Sequence, residues 1–240
     1  MKIIWITLIS VIGALSGISV FWLYTSWAVY ESEISLEEWG NSPHLDVNES
    51  SHYWSIIPRQ SSGRSPVIYY PGGLVQAEAY GGLLAEVARH DNRDIYIIKP
   101  PFHLSIFSIN RAQRVIEQEN LEQVLIGGHS LGGVSACRFV KQNPQYPLFL
   151  FGSYCDTDIS ETDIQVISVM GKRDQIINQD NYQKAKTRLP IKSSLDEIPL
   201  LTHSDFGQYG LQRGDAPSYL SDRDIIFLMR KSFHELETAQ

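Results

Sequence analysis

Charge is missing from the start of the chain: between Lys2 and Glu31 no side chain carries one. The uncharged run has no polar face, so a helix packed by one side onto a soluble core is disfavoured. It is longer than the ~20 apolar residues a helix needs to cross a bilayer. Trp5 stands near one end and Trp22, Tyr24, Trp27 and Tyr30 crowd the other, where aromatic rings favour the two membrane interfaces. Lys2 is the only basic residue nearby, and Glu31, Glu33, Glu37 and Glu38 follow. The expectation is a membrane segment over residues 1–30, with a cytoplasmic N-terminus and the remainder extracytoplasmic. A cleaved signal peptide ending near Ala14-Leu15-Ser16, giving a secreted protein, is the alternative; apolarity that continues past Ser16 favours the uncleaved anchor.

Other absences narrow the function. Basic runs are lacking, and 20 basic against 27 acidic residues give a net charge of −7, which excludes a nucleic-acid surface. Only two cysteines occur, Cys137 and Cys155. They are read as buried small apolar side chains in preference to a disulfide. Neither a Cys-x-x-Cys nor a histidine cluster suggests a metal, and no cofactor is expected. Repeats and low-complexity segments are also missing.

What is present fits one α/β domain in 240 residues. Residues 31–51, acidic and poor in large aliphatics, read as a linker. From residue 52 onward, short apolar runs alternate with helical patterns: residues 52–57, 67–70, 95–98, 123–127, 148–151, 164–170 and 195–201 as strands, and 77–90, 109–119, 131–141, 182–189 and 222–236 as helices. Such alternation implies parallel strands with helices on both faces, a three-layer sandwich.

The chain is organised around Gly128-His129-Ser130-Leu131-Gly132, a Gly-x-Ser-x-Gly between an apolar strand and a helix. In so tight a turn the glycines leave room for neighbouring backbone and the serine is lifted over the sheet edge. A serine hydroxyl needs a base to become a nucleophile. Strand ends supply partners in the order Ser130, Asp174, His203. His203 would take and return the Ser130 proton, and Asp174 would orient the imidazole and stabilise its cation. Asp156 and Asp158, after the preceding strand, remain alternative acids. Backbone N–H groups of Leu131 and of Gly73 or Leu74 would form the oxyanion hole. His129 is expected to pack beside the turn, and His103 to line the pocket.

Several stretches, Tyr70-Pro71-Gly72-Gly73, Tyr80, Lys99-Pro100-Pro101-Phe102-His103-Leu104, Gly127 to Gly133, Gly171-Lys172-Arg173-Asp174 and above all His203-Ser204-Asp205-Phe206-Gly207-Gln208-Tyr209-Gly210-Leu211-Gln212-Arg213-Gly214-Asp215, resemble the α/β-hydrolase family 5 domain over residues 52–240. The resemblance implies nucleophile, acid and base at Ser130, Asp174 and His203, with Phe206, Gly207, Tyr209, Gly210 and Asp215 as scaffolding for the histidine loop. Leu200-Leu201-Thr202 and His103 depart from the family's usual Gly-Gly-Asn and Asn, changes that bear on pocket shape.

The expectation is therefore an α/β-hydrolase sandwich with a mostly parallel sheet, preceded by one transmembrane helix and cleaving a small-molecule acyl ester through an acyl-enzyme. No lid-forming insertion separates the turn from Asp174, which suits small or surface-bound esters. The same constellation serves acyltransferases and thioesterases. A catalytically silent, membrane-tethered binding module is the rival from another class.

Overall fold

The computed structural model describes residues 28–238 apart from residue 61. The expected membrane segment lies almost wholly outside these residues. Among the described residues no helix is long and apolar enough to cross a membrane.

Eight strands form one sheet in the order β1-β2-β4-β3-β5-β6-β7-β8. They are β1 (Leu45–Glu49), β2 (Tyr53–Pro58), β3 (Val67–Tyr70), β4 (Ile95–Ile98), β5 (Leu125–His129), β6 (Leu148–Phe151), β7 (Val166–Gly171) and β8 (Ser194–Ile198). From β4 to β8 all neighbours run parallel. The two strands at the other edge do not: β2 pairs antiparallel with both β1 and β4. The principal helices are α1 (Leu36–Gly40), α2 (Gly81–Asp91), α3 (Arg111–Gln118), α4 (Leu131–Gln142), α5 (Gln179–Lys186) and α6 (Asp222–Thr238).

Successive strand residues point to opposite faces, and two cores result. Val67 and Tyr69 join Leu83, Leu84, Val87, Phe149, Phe151, Met229 and Phe233 on the α2 and α6 side. Ile68 and Tyr70 join Val115, Ala136, Phe139, Val140 and Leu150 on the α3 and α4 side. Both faces are covered, so β3 and β6 show no polar alternation.

Two expectations need correction. Residues 31–51 are not a linker: α1 opens with a capping box between Ser35 and Glu38, and β1 closes the sheet. Few aliphatics are needed there because one ring does the anchoring. Trp39 is buried, stacks edge-on to Trp54 at 5.7 Å, and lies where a side chain at Gly81 would otherwise sit. The second correction is that Cys137 and Cys155 form a disulfide, with Cα atoms 5.6 Å apart. Helix α4 crosses back over the sheet toward β6, which brings Cys137 to the loop that leaves that strand.

Candidate active site

The parallel order reverses direction around β3, which lies between β4 and β5. At such a switch point the loops leaving the carboxyl ends diverge and open a crevice. Its two walls are the Pro71 to Leu74 loop and the β5–α4 turn. Paired registers Tyr69 to Gly127 and Tyr70 to Gly128 bring these walls together, and a Cβ at Gly128 or Gly132 would collide with the Tyr70 carbonyl. Glycine is required there by close approach of backbone.

Ser130 sits at the tip of the turn with φ 52° and ψ −124°, a conformation an L-residue holds only under constraint. The constraint is visible: its N–H donates to the Phe151 carbonyl (3.1 Å), and its own carbonyl accepts from Gly133 N–H (3.0 Å) and Ser153 Oγ (2.6 Å). Sequence reading gave Ser153 no part in this turn; serine is common and its partner is backbone.

Asp174 and His203 meet as expected. Their Oδ2 and Nδ1 lie 2.7 Å apart, and both side chains are fully buried. The other oxygen of Asp174 accepts from the Ile176 and Ile177 N–H groups at 2.9 Å each, so the carboxylate is held by its own loop and cannot swing. Asp156 and Asp158 are thereby set aside: Asp156 pairs with Arg138 on the surface, and Asp158 caps Ser160 N–H. His203 Nε2 is buried and has no hydrogen-bond partner among the described residues, so no hydrogen bond joins it to Ser130. Such contacts are often loose before substrate binds.

The histidine loop is fastened by carboxylates. Asp215 Oδ2 accepts from Ser204 N–H (2.8 Å) and Ser204 Oγ (2.7 Å), while its Oδ1 takes the Gln175 N–H (3.2 Å). One side chain thus ties the loop carrying His203 to the residue after Asp174. Phe206 stacks on Phe151 with ring centroids 5.1 Å apart, and Gly210 takes a left-handed φ of +74°.

His129, next to Ser130, is fully buried and its ring centroid lies 4.5 Å from that of His203. Its Nδ1 meets Tyr80 Oη at 2.9 Å, and the same oxygen accepts the Gly72 N–H at 2.9 Å. All three groups are satisfied when the phenol donates to Nδ1, which assigns the His129 proton to Nε2. Burial, joined by the charge of His203, holds His129 well below the ordinary histidine value despite an opposing contribution from the His203 main chain. Tyr80 therefore connects the two walls of the crevice. The sequence placed it on a helix and in a resembling motif without a role.

Three backbone N–H groups are the expected oxyanion donors. Leu131 N–H opens α4 and has no carbonyl to pair with inside the helix. Gly73 N–H has no partner among the described residues. Leu74 is a correction: with φ 58°, it donates its N–H to the His103 carbonyl at 2.7 Å and accepts from Tyr30 N–H at 2.7 Å. His103 borders a cavity of about 250 Å³ with Glu78, Lys99 and Arg111, on the loop whose carbonyl takes the Leu74 N–H, and burial holds its pKa down while Glu78 acts the other way. A larger cavity, about 550 Å³, lies behind the histidine loop, and its lining includes none of Ser130, His203 and Asp174. No group of three or more potential metal ligands occurs among the described residues.

A model of the alpha/beta hydrolase family matches residues 66–226. The chain belongs to that family. Solved structures of similar fold include a CIB-like hydrolase from Thermoplasma acidophilum (10% identity, TM-score 0.60, covering 78% of this chain and 97% of the other). The alpha/beta hydrolase MGS-MChE2 from a lagoon-sediment metagenome of Mar Chica, Morocco, is 15% identical, with a TM-score of 0.57 and 80% and 98% covered. A thermostable esterase from Pseudomonas putida is 13% identical, with a TM-score of 0.56 and 86% and 85% covered. At these identities the likeness is one of fold. No curated protein sequence matches the chain significantly. As an alpha/beta hydrolase, the molecule carries Ser130, Asp174 and His203 after the carboxyl ends of its strands.

Proposed function

We propose that the protein is a membrane-anchored serine hydrolase that cleaves acyl esters, with Ser130 as nucleophile, His203 as base and Asp174 as its orienting acid. The observation that carries this reading is His203, fixed by a buried carboxylate through Nδ1 while Nε2 faces no protein partner beside the elbow. In the forward step Ser130 Oγ attacks the ester carbonyl and its proton passes to His203 Nε2. The developing oxyanion is met by Leu131 and Gly73 N–H. Collapse expels the alcohol with the His203 proton, and water, deprotonated by the same imidazole, then releases the acid from Ser130.

The anchor reading rests on the uncharged run of residues 3–30, with the N-terminus cytoplasmic and the hydrolase domain outside. The Cys137–Cys155 disulfide supports that side, since disulfides persist in oxidising compartments. The fold likeness to the Pseudomonas putida esterase supports ester substrates; thioester cleavage and acyl transfer would use the same groups.

A fluorophosphonate probe tests the reading on the folded full-length chain. Wild type should label and Ser130→Ala should not, with turnover lowered on the order of 10⁶-fold. An unlabelled, folded wild type would overturn it in favour of a binding module.

A further inference from the structure

Tyr30, the last residue of the uncharged run, is bound to the wall of the catalytic crevice. Its N–H donates to the Leu74 carbonyl (2.7 Å), its carbonyl accepts from Gln76 N–H (3.0 Å), and together they make a parallel bridge with Val75. Its ring lies against Tyr209 at 5.8 Å, and its hydroxyl accepts the Arg213 N–H at 3.1 Å. Leu74 is next to Gly73, a proposed oxyanion donor. The uncharged run therefore enters the domain at the mouth of the site. From Trp27 to Tyr30 three residue steps reach at most ~11 Å.

The same mouth carries exposed apolar side chains. Leu74 N–H holds the His103 carbonyl, and Ser105 Oγ holds the Pro71 carbonyl at 2.7 Å, which fixes the 101–107 loop beside the crevice. On that loop Phe102 and Phe107 are 46% and 56% exposed and stack edge-on at 6.3 Å. Across Tyr30, in the loop of Arg213, Leu211 is 57% exposed. Exposed apolar groups gathered around one mouth mark a contact surface, and the length and place of the chain before Tyr30 say what covers it.

We propose that this rim lies on the surface of the bilayer that holds the N-terminal run, with Phe107, Phe102 and Leu211 seated at the headgroup boundary, and that Ser130 takes ester lipids presented there. The inference rests on the anchored-hydrolase reading for its substrate, but its docking geometry is read separately. Aromatic and aliphatic side chains beside a tether favour that interface.

The test uses the full-length chain in phosphatidylcholine–phosphatidylglycerol vesicles. Both native cysteines are in the disulfide, so Phe107→Cys offers one free thiol for an NBD fluorophore. Ile191→Cys is the control: it is 99% exposed and precedes β8, at the opposite end of the strands. NBD at position 107 should be quenched several-fold more by spin-labelled lipid than NBD at 191; equal quenching overturns the docking. Phe107→Ser with Leu211→Ser should lower hydrolysis of a long-chain ester lipid in the vesicles about tenfold, while turnover of a water-soluble acetate ester stays within about twofold. Equal losses on both substrates would overturn the inference. Should the wild type hydrolyse neither ester, the hydrolase reading and the lipid substrate fall together, and the quenching contrast decides the docking alone.

Discussion

Two buried tyrosines offer a matched pair for testing how the crevice is held open. Tyr69 and Tyr80 are both fully buried, with ring centroids 5.1 Å apart. Tyr80 Oη holds Gly72 N–H and His129 Nδ1, whereas Tyr69 Oη has no partner among the described residues. Tyr80→Phe keeps the ring and orphans two buried polar groups. At ~1–3 kcal/mol for each group left unsatisfied, and with some relaxation, the loss should be about 2–4 kcal/mol. For a domain of this size that lowers Tm by about 5–12 °C. Tyr69→Phe removes a hydroxyl that is already unpaired and should be neutral or slightly stabilising.

Activity separates a structural role from a positioning one. Gly72 precedes Gly73, and loss of an oxyanion donor outright costs about 10²–10³ in kcat; loosening the peptide before it should cost about tenfold. KM should hold, because the donor bonds the oxyanion more strongly than the ground-state carbonyl. The assays are thermal unfolding by circular dichroism and steady-state hydrolysis of a chromogenic acetate ester at a temperature where both variants are folded. A Tyr80→Phe protein with wild-type Tm would refute the hydrogen-bond assignment. One with lowered Tm and unchanged kcat would confine Tyr80 to stability.

Other consequences follow from the same contacts. His129 is held below its ordinary value by burial, so between its folded and unfolded pKa values the unfolded chain binds the extra proton; its contribution is present above about pH 6.5 and is lost as pH falls, with a slope up to ~1.4 kcal/mol per pH unit. Urea unfolding at pH 7.5 and 5.5 should show this loss, and His129→Gln should flatten it. Burial pushes Glu237 upward, but the Arg93 hydrogen bond and charge, Ser65 N–H and Arg64 outweigh it and hold the carboxyl low. Its stabilisation is therefore present above the unfolded carboxyl range near pH 4.3 and disappears as pH drops through the folded value. Glu237→Gln leaves the fully buried Arg93 without its charge partner and should cost about 3 kcal/mol near neutral pH, measured by urea unfolding. Replacing both Cys137 and Cys155 by alanine opens a link across 18 residues and should cost about 3 kcal/mol; equal urea midpoints would refute it. Asp215→Asn should lower kcat more than it raises KM, since its single amide oxygen can hold Ser204 or Gln175 but not both, which opens the tie across the Asp174–His203 pair; an unchanged kcat would count against that clamp.

The strand ends that carry Ser130, Asp174 and His203 were legible because the strands are short runs of Val, Ile, Leu, Tyr and Phe that end at Gly, Pro or His, so pattern alone sets where the chain turns. Residues 31–51 were not legible as structure. A five-residue helix and an edge strand carry little periodicity, and what holds them is the Trp39 indole beside Gly81 together with the ladder from β1 to β2. The disulfide was hidden for a related reason: two cysteines with a separation of 18 look like core residues until α4 is known to return over β6. Leu74 was misplaced as an oxyanion donor because its N–H direction depends on a left-handed φ and on the carbonyl of His103, 29 positions away. Local composition reports on burial; it is silent on which backbone groups find each other across loops.

That distinction explains how the site divides. Asp174 and His203, the proposed acid and base, form one body, with Asp215 joining their loops and Phe206 seated on Phe151. The oxyanion wall forms another, assembled from Gly72 to Leu74, the Tyr30 bridge and the His103 carbonyl. They meet at His129, whose ring faces His203 and whose Nδ1 reaches the oxyanion wall through Tyr80. Neither body alone positions a tetrahedral intermediate. The Tyr30 main chain belongs to the second, whereas its ring and hydroxyl reach Tyr209 and Arg213 of the histidine loop, so a change confined to the Tyr30 main chain acts first on Leu74 and Gly73. Compared with Tyr30→Ala, which loses the same ring and hydroxyl, Tyr30→Pro also removes the N–H that the Leu74 carbonyl accepts and so tests this order. It should lower kcat while the pH dependence of fluorophosphonate labelling at Ser130, which reports the acid–base body, keeps its wild-type form; a shifted profile would show that the two bodies are not separable.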